Sequence, residues 1–99
     1  MNDINLPERW TPTLPSDAHK FEIELEGEIC KTHPLSGTTF MCVARRDGQD
    51  DFLFRLESHE RAFAVVHLTW SQETEPDFPW TTFFASEQDF IDNWRRIFD

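Results

Sequence analysis

Apolar residues concentrate most densely in Ala62-Phe63-Ala64-Val65-Val66-His67-Leu68-Thr69-Trp70, a run rich in β-branched and aromatic side chains. That pattern predicts a strand buried on both faces, at the centre of a sheet over 61–70. Two shorter strand patterns precede it, 38–46 and 51–57, joined by Asp47-Gly48-Gln49-Asp50, a hairpin loop with an Asp-Gly turn signal. Ser58-His59-Glu60 makes the next tight connection, so the three strands read as an antiparallel meander.

Helical signals flank these strands. Over 16–31 two periods compete: Phe21, Ile23, Leu25 and Ile29 alternate with Glu22, Glu24, Glu26 and Glu28, while Ala18, Phe21, Leu25 and Ile29 also form one helical stripe. Glutamate is a good helix former and a poor strand former, and Ser16 before Asp17 reads as an N-cap, so a helix is expected. The turn Thr32-His33-Pro34-Leu35-Ser36-Gly37 ends it, because a residue before proline leaves the helical region. At the other end Ser86-Glu87-Gln88-Asp89 resembles a capping box and opens a helix over 86–98. Its apolar face is Phe90, Ile91, Trp94, Ile97 and Phe98. Residues 1–15 carry Pro7, Pro12 and Pro15 around Trp10 and predict an extended arm, and 71–85, with Pro76 and Pro79, predicts an acidic and aromatic surface loop. The fold class is α+β, in the order α-β-β-β-α.

Composition narrows the partners. Ninety-nine residues fit one domain, and ten Phe with four Trp supply much apolar area for a core of that size. Nineteen acids against nine Lys and Arg give a net charge of −10, which repels phosphate and anionic lipid and favours a basic protein as partner. The expectation is no nucleic acid and no membrane. Met1-Asn2-Asp3-Ile4-Asn5 lacks the basic and apolar regions of a signal peptide, which points to the cytoplasm, where Cys30 and Cys42 stay reduced.

Several segments together, His33-Pro34-Leu35-x-Gly37, Ala44-Arg45-Arg46 with Asp50-Asp51 and Leu53-Phe54, Ala64 to Trp70 and Pro79-Trp80, resemble a group of short bacterial proteins without assigned activity. The resemblance spans about residues 20 to 95 and implies a helix before the His-Pro-Leu turn. It departs in the longer proline-rich arm and in the order of Pro79 and Trp80, and it carries no catalytic residues over.

Chemistry has few footholds. His33 and His67, with Cys30, form only a fragment of a zinc set, and Cys42 sits mid-strand between apolar neighbours, so neither a metal, a cofactor nor a cysteine nucleophile is expected. Glu73, Glu75 and Asp77, bracketed by Trp70, Phe78 and Trp80, have the composition of a protein interface, aromatic anchors ringed by charge. Glu22, Glu26 and His33 are taken as additional partner-binding residues. The expected function is a protein-binding module without enzymatic activity: an immunity protein or antitoxin covering the active site of a basic bacterial toxin. The alternatives are a small enzyme or metal-binding protein using His33 and His67, and a homodimer paired through exposed aromatics.

Overall fold

The computed structural model describes residues 6–57 and 59–97. Five strands, not three, form one antiparallel sheet in the order β1-β2-β3-β4-β5: Trp10–Pro12, Thr39–Arg46, Asp51–Glu57, Phe63–His67 and Trp80–Phe84. The expected three-stranded meander is thus extended by one strand at each edge. β1 arises inside the proline-rich arm, its three residues pairing with Arg46, Arg45 and Ala44. Proline forbids a central strand but is tolerated on an edge, and Pro12 stands at the end of one. β5 follows directly on Pro79. Its Trp-Thr-Thr-Phe-Phe is made wholly of β-favouring residues, so the loop expected over 71–85 stops at Pro79.

The extra strand also moves the centre. β3 is the middle strand, with Asp51, Phe52, Leu53 and Phe54 all buried, whereas the 61–70 run contributes the shorter β4, Phe63–His67. β4 is buried on both faces as far as Val66. The hairpin loop falls at 47–50, with Gly48 at φ 71°, in the left-handed region that glycine enters without a Cβ penalty. Ser58 lies outside the described residues.

One helix covers each face of the sheet. α1, Pro15–Glu28, packs Ala18 and Leu25 with the partly buried Phe21 against Phe52, Phe54, Ala64 and Val66. Helix therefore wins over strand, although it ends at Glu28, with Ile29 already extended, and not at the expected 31; Ile23, which a strand would have placed beside Phe21 and Leu25, is exposed. Fully burying side chains such as Leu25 or Phe54 contributes about 1.5–3 kcal/mol each. The start differs from expectation: Leu14 is the N-cap without a side-chain bond and Pro15 opens the helix, because proline's fixed φ suits the first turn, where its missing N–H is not needed. Ser16 is thus inside the first turn.

α2, Glu87–Asn93, continues into a 3₁₀ turn, Trp94–Ile97, and places Phe90 and Trp94 against Trp10, Leu53, Val65 and Phe84 on the opposite face. The expected cap is present. Ser86 Oγ accepts the Asp89 N–H at 3.0 Å, and Asp89 Oδ2 accepts the Ala85 N–H at 2.8 Å. Phe98, assigned to this helix's apolar face, lies outside the described residues.

A bulge in β2 lets one strand serve both layers. Cys42 opposes Phe54 and Ala44 opposes the adjacent Leu53, so Val43 is the extra residue and the facing of the strand switches there. Cys42 accordingly joins the α1 layer and Ala44 the α2 layer.

Candidate protein-binding site

The segment between β4 and β5 is held at both feet by buried polar side chains. At its start Glu28, the last residue of α1 and only 1% exposed, reaches the chain leaving β4. Its Oε1 accepts the Thr69 N–H at 2.9 Å and its Oε2 the Trp70 N–H at 2.8 Å. The Thr69 hydroxyl lies within bonding distance of Glu28 Oε1, the Ser71 carbonyl and Glu73 Oε2, and it has one proton to share among them. The Glu28 carbonyl accepts the Glu73 N–H at 3.1 Å as well. These bonds hold Trp70 at φ 60°, a left-handed conformation that a bulky residue enters only when its surroundings impose it.

At the other foot stands His33, 3% exposed. Its Nδ1 accepts the Leu35 N–H at 3.0 Å, so the proton sits on Nε2, which donates to the Pro79 carbonyl at 3.0 Å. Thr81 donates to the same carbonyl at 3.0 Å. Phe78-Pro79 is a cis peptide.

Between these anchors the aromatic residues are presented outward: Trp70 is 49%, Phe78 48% and Trp80 57% exposed. Trp70 packs edge-on against Phe21 and Phe52 with one side and leaves the other free. Glu75 and Asp77 are exposed, and Glu73 is partly covered.

The remaining candidates scatter. Glu22 Oε2 accepts the Cys42 N–H at 2.9 Å and so holds β2 beside its bulge rather than facing a partner. Glu26 is exposed and lines a shallow depression between α1 and β2, on a different part of the surface. His33, with both ring nitrogens engaged and its side chain buried, presents nothing to a partner.

His33 and His67 are not brought together. His33 lies on the α1 face beside Thr81, whereas His67 follows Phe63 and Val65 on the α2 face, so the sheet stands between them. His67 Nδ1 instead bonds Asp51 Oδ1 at 2.9 Å, and buried Asp51 also faces Arg46 at 3.5 Å. Asp51, His67 and Trp80 are successive partners across β3, β4 and β5, which puts the half-exposed imidazole next to Trp80. Among the described residues no group of three or more His, Cys, Asp and Glu is placed to hold a metal ion. Both cysteines are free: burial pushes the Cys42 thiol up to about 12, while a hydrogen bond with Thr32 lowers that of Cys30.

Glu28 is the residue that sequence reasoning missed. It was one of four glutamates in an acidic series, yet 18, 21, 25 and 28 are spaced along a single helical stripe, and a glutamate in that stripe must be buried with partners. Its neighbour Glu24 registers the arrangement: donating a hydrogen bond to Glu28, reinforced by partial burial and by repulsion between the two charges, raises its pKa from 4.5 to about 7.

Comparison with protein families, with curated proteins and with solved structures finds no match to this chain. No helix among the described residues is long and apolar enough to cross a membrane.

Proposed function

We propose that this chain is a binding module that captures a basic protein through the loop from Trp70 to Trp80. The observation that carries the reading is the double clamp: Glu28 and His33 commit buried hydrogen bonds to the two feet of a loop whose exposed residues include Phe78, Trp80, Glu75 and Asp77. A surface ordered before the partner arrives does not lose its conformational freedom on binding, so more of the contact energy appears as affinity. Half-exposed aromatics are the side chains that anchor interfaces, and the acids around them steer a cationic partner. Among partners of that kind the most concrete is a cationic toxin such as a nuclease, which the module would neutralise in the cytoplasm as an immunity protein or antitoxin does. The test is capture from native lysate at low salt. The chain should retain a basic protein that salt releases, and a Glu75→Lys, Asp77→Lys, Trp80→Ala variant should retain none of it. Equal capture by both would move the binding surface away from this loop.

A further inference from the structure

The sheet ends at β5, and its outer edge has a defined hydrogen-bonding face. Leu68 N–H donates to the Asp50 carbonyl and Leu56 N–H to the Ala62 carbonyl, both in the β3-β4 register, so residues 62, 64, 66 and 68 bond toward β3. Phe63, Val65 and His67 therefore bond toward β5, on Phe84, Thr82 and Trp80. Alternation leaves the N–H and C=O groups of Thr81 and Phe83 pointing away from the sheet. No strand among the described residues pairs with them.

Edge strands are commonly blunted by lysine, an internal proline or a bulge. β5 has no charge within Trp80–Phe84, no proline and a regular register with β4. Charge gathers at its two ends instead. Glu75 and Asp77 precede it, and Glu87 and Asp89 follow in the first turn of α2, where Arg61 and Arg96 act on Asp89.

We infer that β5 accepts an added strand from the basic partner: an extended, uncharged, β-forming segment with Lys or Arg at the end that lies by Asp77. The assignment rests on the partner reading above for its charge term and on the free edge for its geometry. A second copy fits less well. Pairing two β5 strands antiparallel through Thr81 and Phe83 sets 82 on 82 and puts the end of β5 that follows Glu75 and Asp77 on the same side as the other copy's end that precedes Glu87 and Asp89, acid beside acid at both ends. Like charges brought together oppose that assembly. A cationic strand end meets the acids before β5 without this conflict, and Trp80, the first residue of β5, is exposed at that same end.

The test uses the intact chain and two synthetic peptides, Lys-Lys-Thr-Val-Thr-Val-Thr-Lys-Lys and the same core with glutamate in place of each lysine. Amide hydrogen exchange is read residue by residue. With the lysine peptide at ten times its dissociation constant, exchange at Thr81 and Phe83 should slow about tenfold, while Thr82 and Phe84, already bonded to β4, change little. The glutamate peptide should give no protection at the same concentration, and a Glu75→Lys, Asp77→Lys variant should lose the preference. Resonance shifts at Trp70 and Phe78 with unchanged exchange at Thr81 and Phe83 would overturn strand addition while leaving the loop as a binding surface. Equal protection by both peptides would overturn the charge assignment. Protection of Thr81 and Phe83 that grows with protein concentration alone would make the occupant a second copy.

Discussion

Replacing Glu28 by glutamine tests whether the β4-β5 loop is held as described. The carboxylate accepts two backbone N–H groups, from Thr69 at 2.9 Å and Trp70 at 2.8 Å, one on each oxygen, at a site with 1% exposure. An amide keeps one oxygen and turns an NH₂ toward the other N–H, so one donor faces a donor. A hydrogen bond to a charged group contributes about 1.5–3 kcal/mol, and a buried unsatisfied donor costs about 1–3 kcal/mol, two descriptions of largely the same loss. Weakening of the surviving bond from charged to neutral adds a fraction, for about 2–4 kcal/mol in total. Urea unfolding followed by tryptophan fluorescence should place the midpoint of Glu28→Gln about 1 M or more below that of the parent chain. Amide exchange at Thr69 and Trp70 should accelerate more than exchange at Phe52 or Phe54 in the sheet. A variant within about 0.5 kcal/mol of the parent, the range of ordinary surface changes, with Thr69 and Trp70 still protected, would refute the clamp.

Further outcomes follow from the titrating groups. Glu24, with its folded pKa raised from 4.5 to about 7, binds its proton more tightly in the folded state, so its contribution is complete below pH 4.5 and is lost as pH rises through about 7. Thermal unfolding between pH 5.5 and 8 should therefore show a decline in Tm that Glu24→Gln flattens, and an identical decline in both chains would remove Glu24 from the cause. Thiol titration of the native protein at pH 8 should label Cys30 quickly and Cys42 only after unfolding, because Cys42 is buried and its thiol is pushed up to about 12. Two fast equivalents would contradict that burial.

Much of the fold was legible where one physical signal dominated. The Asp-Gly hairpin, the strand over 51–57 and the Ser86 cap follow from local chemistry that the structure retains. The helix expected over 16–31 rests on glutamate's propensity and a Ser16 cap against an alternation that alone favours a strand; packing selects helix as far as Glu28 by burying Leu25 while leaving Ile23 out, and the cap is Leu14 instead. The two edge strands were hidden by proline. Pro12 and Pro79 mark where a strand cannot be central, which in sequence looks the same as an extended arm or a loop, although an edge position for β1 and a start just after Pro79 for β5 satisfy the same restriction. The bulge at Val43 was invisible because the group that takes up the Cys42 N–H beside it, the Glu22 carboxylate, comes from α1, twenty positions from Cys42 in the chain.

The candidate site was legible in composition and not in support. Exposed acids and aromatics between Trp70 and Trp80 can be read from the chain, but the residues that fix the loop lie far from it: Glu28 is 41 and 42 positions from Thr69 and Trp70, and His33 is 46 from Pro79. His33 carries functional-looking chemistry and is spent on a carbonyl. His67 acquires its partner, Asp51, only once β3 and β4 pair.

The central claim is that Glu75, Asp77 and the aromatics beside them receive a basic protein, and its most direct test is the association rate of the captured protein as a function of salt. The rate should fall by about tenfold or more as salt rises from low to physiological strength, with most of that dependence lost in the Glu75→Lys, Asp77→Lys variant. A rate indifferent to salt, or a dependence unchanged by the two reversals, would contradict it.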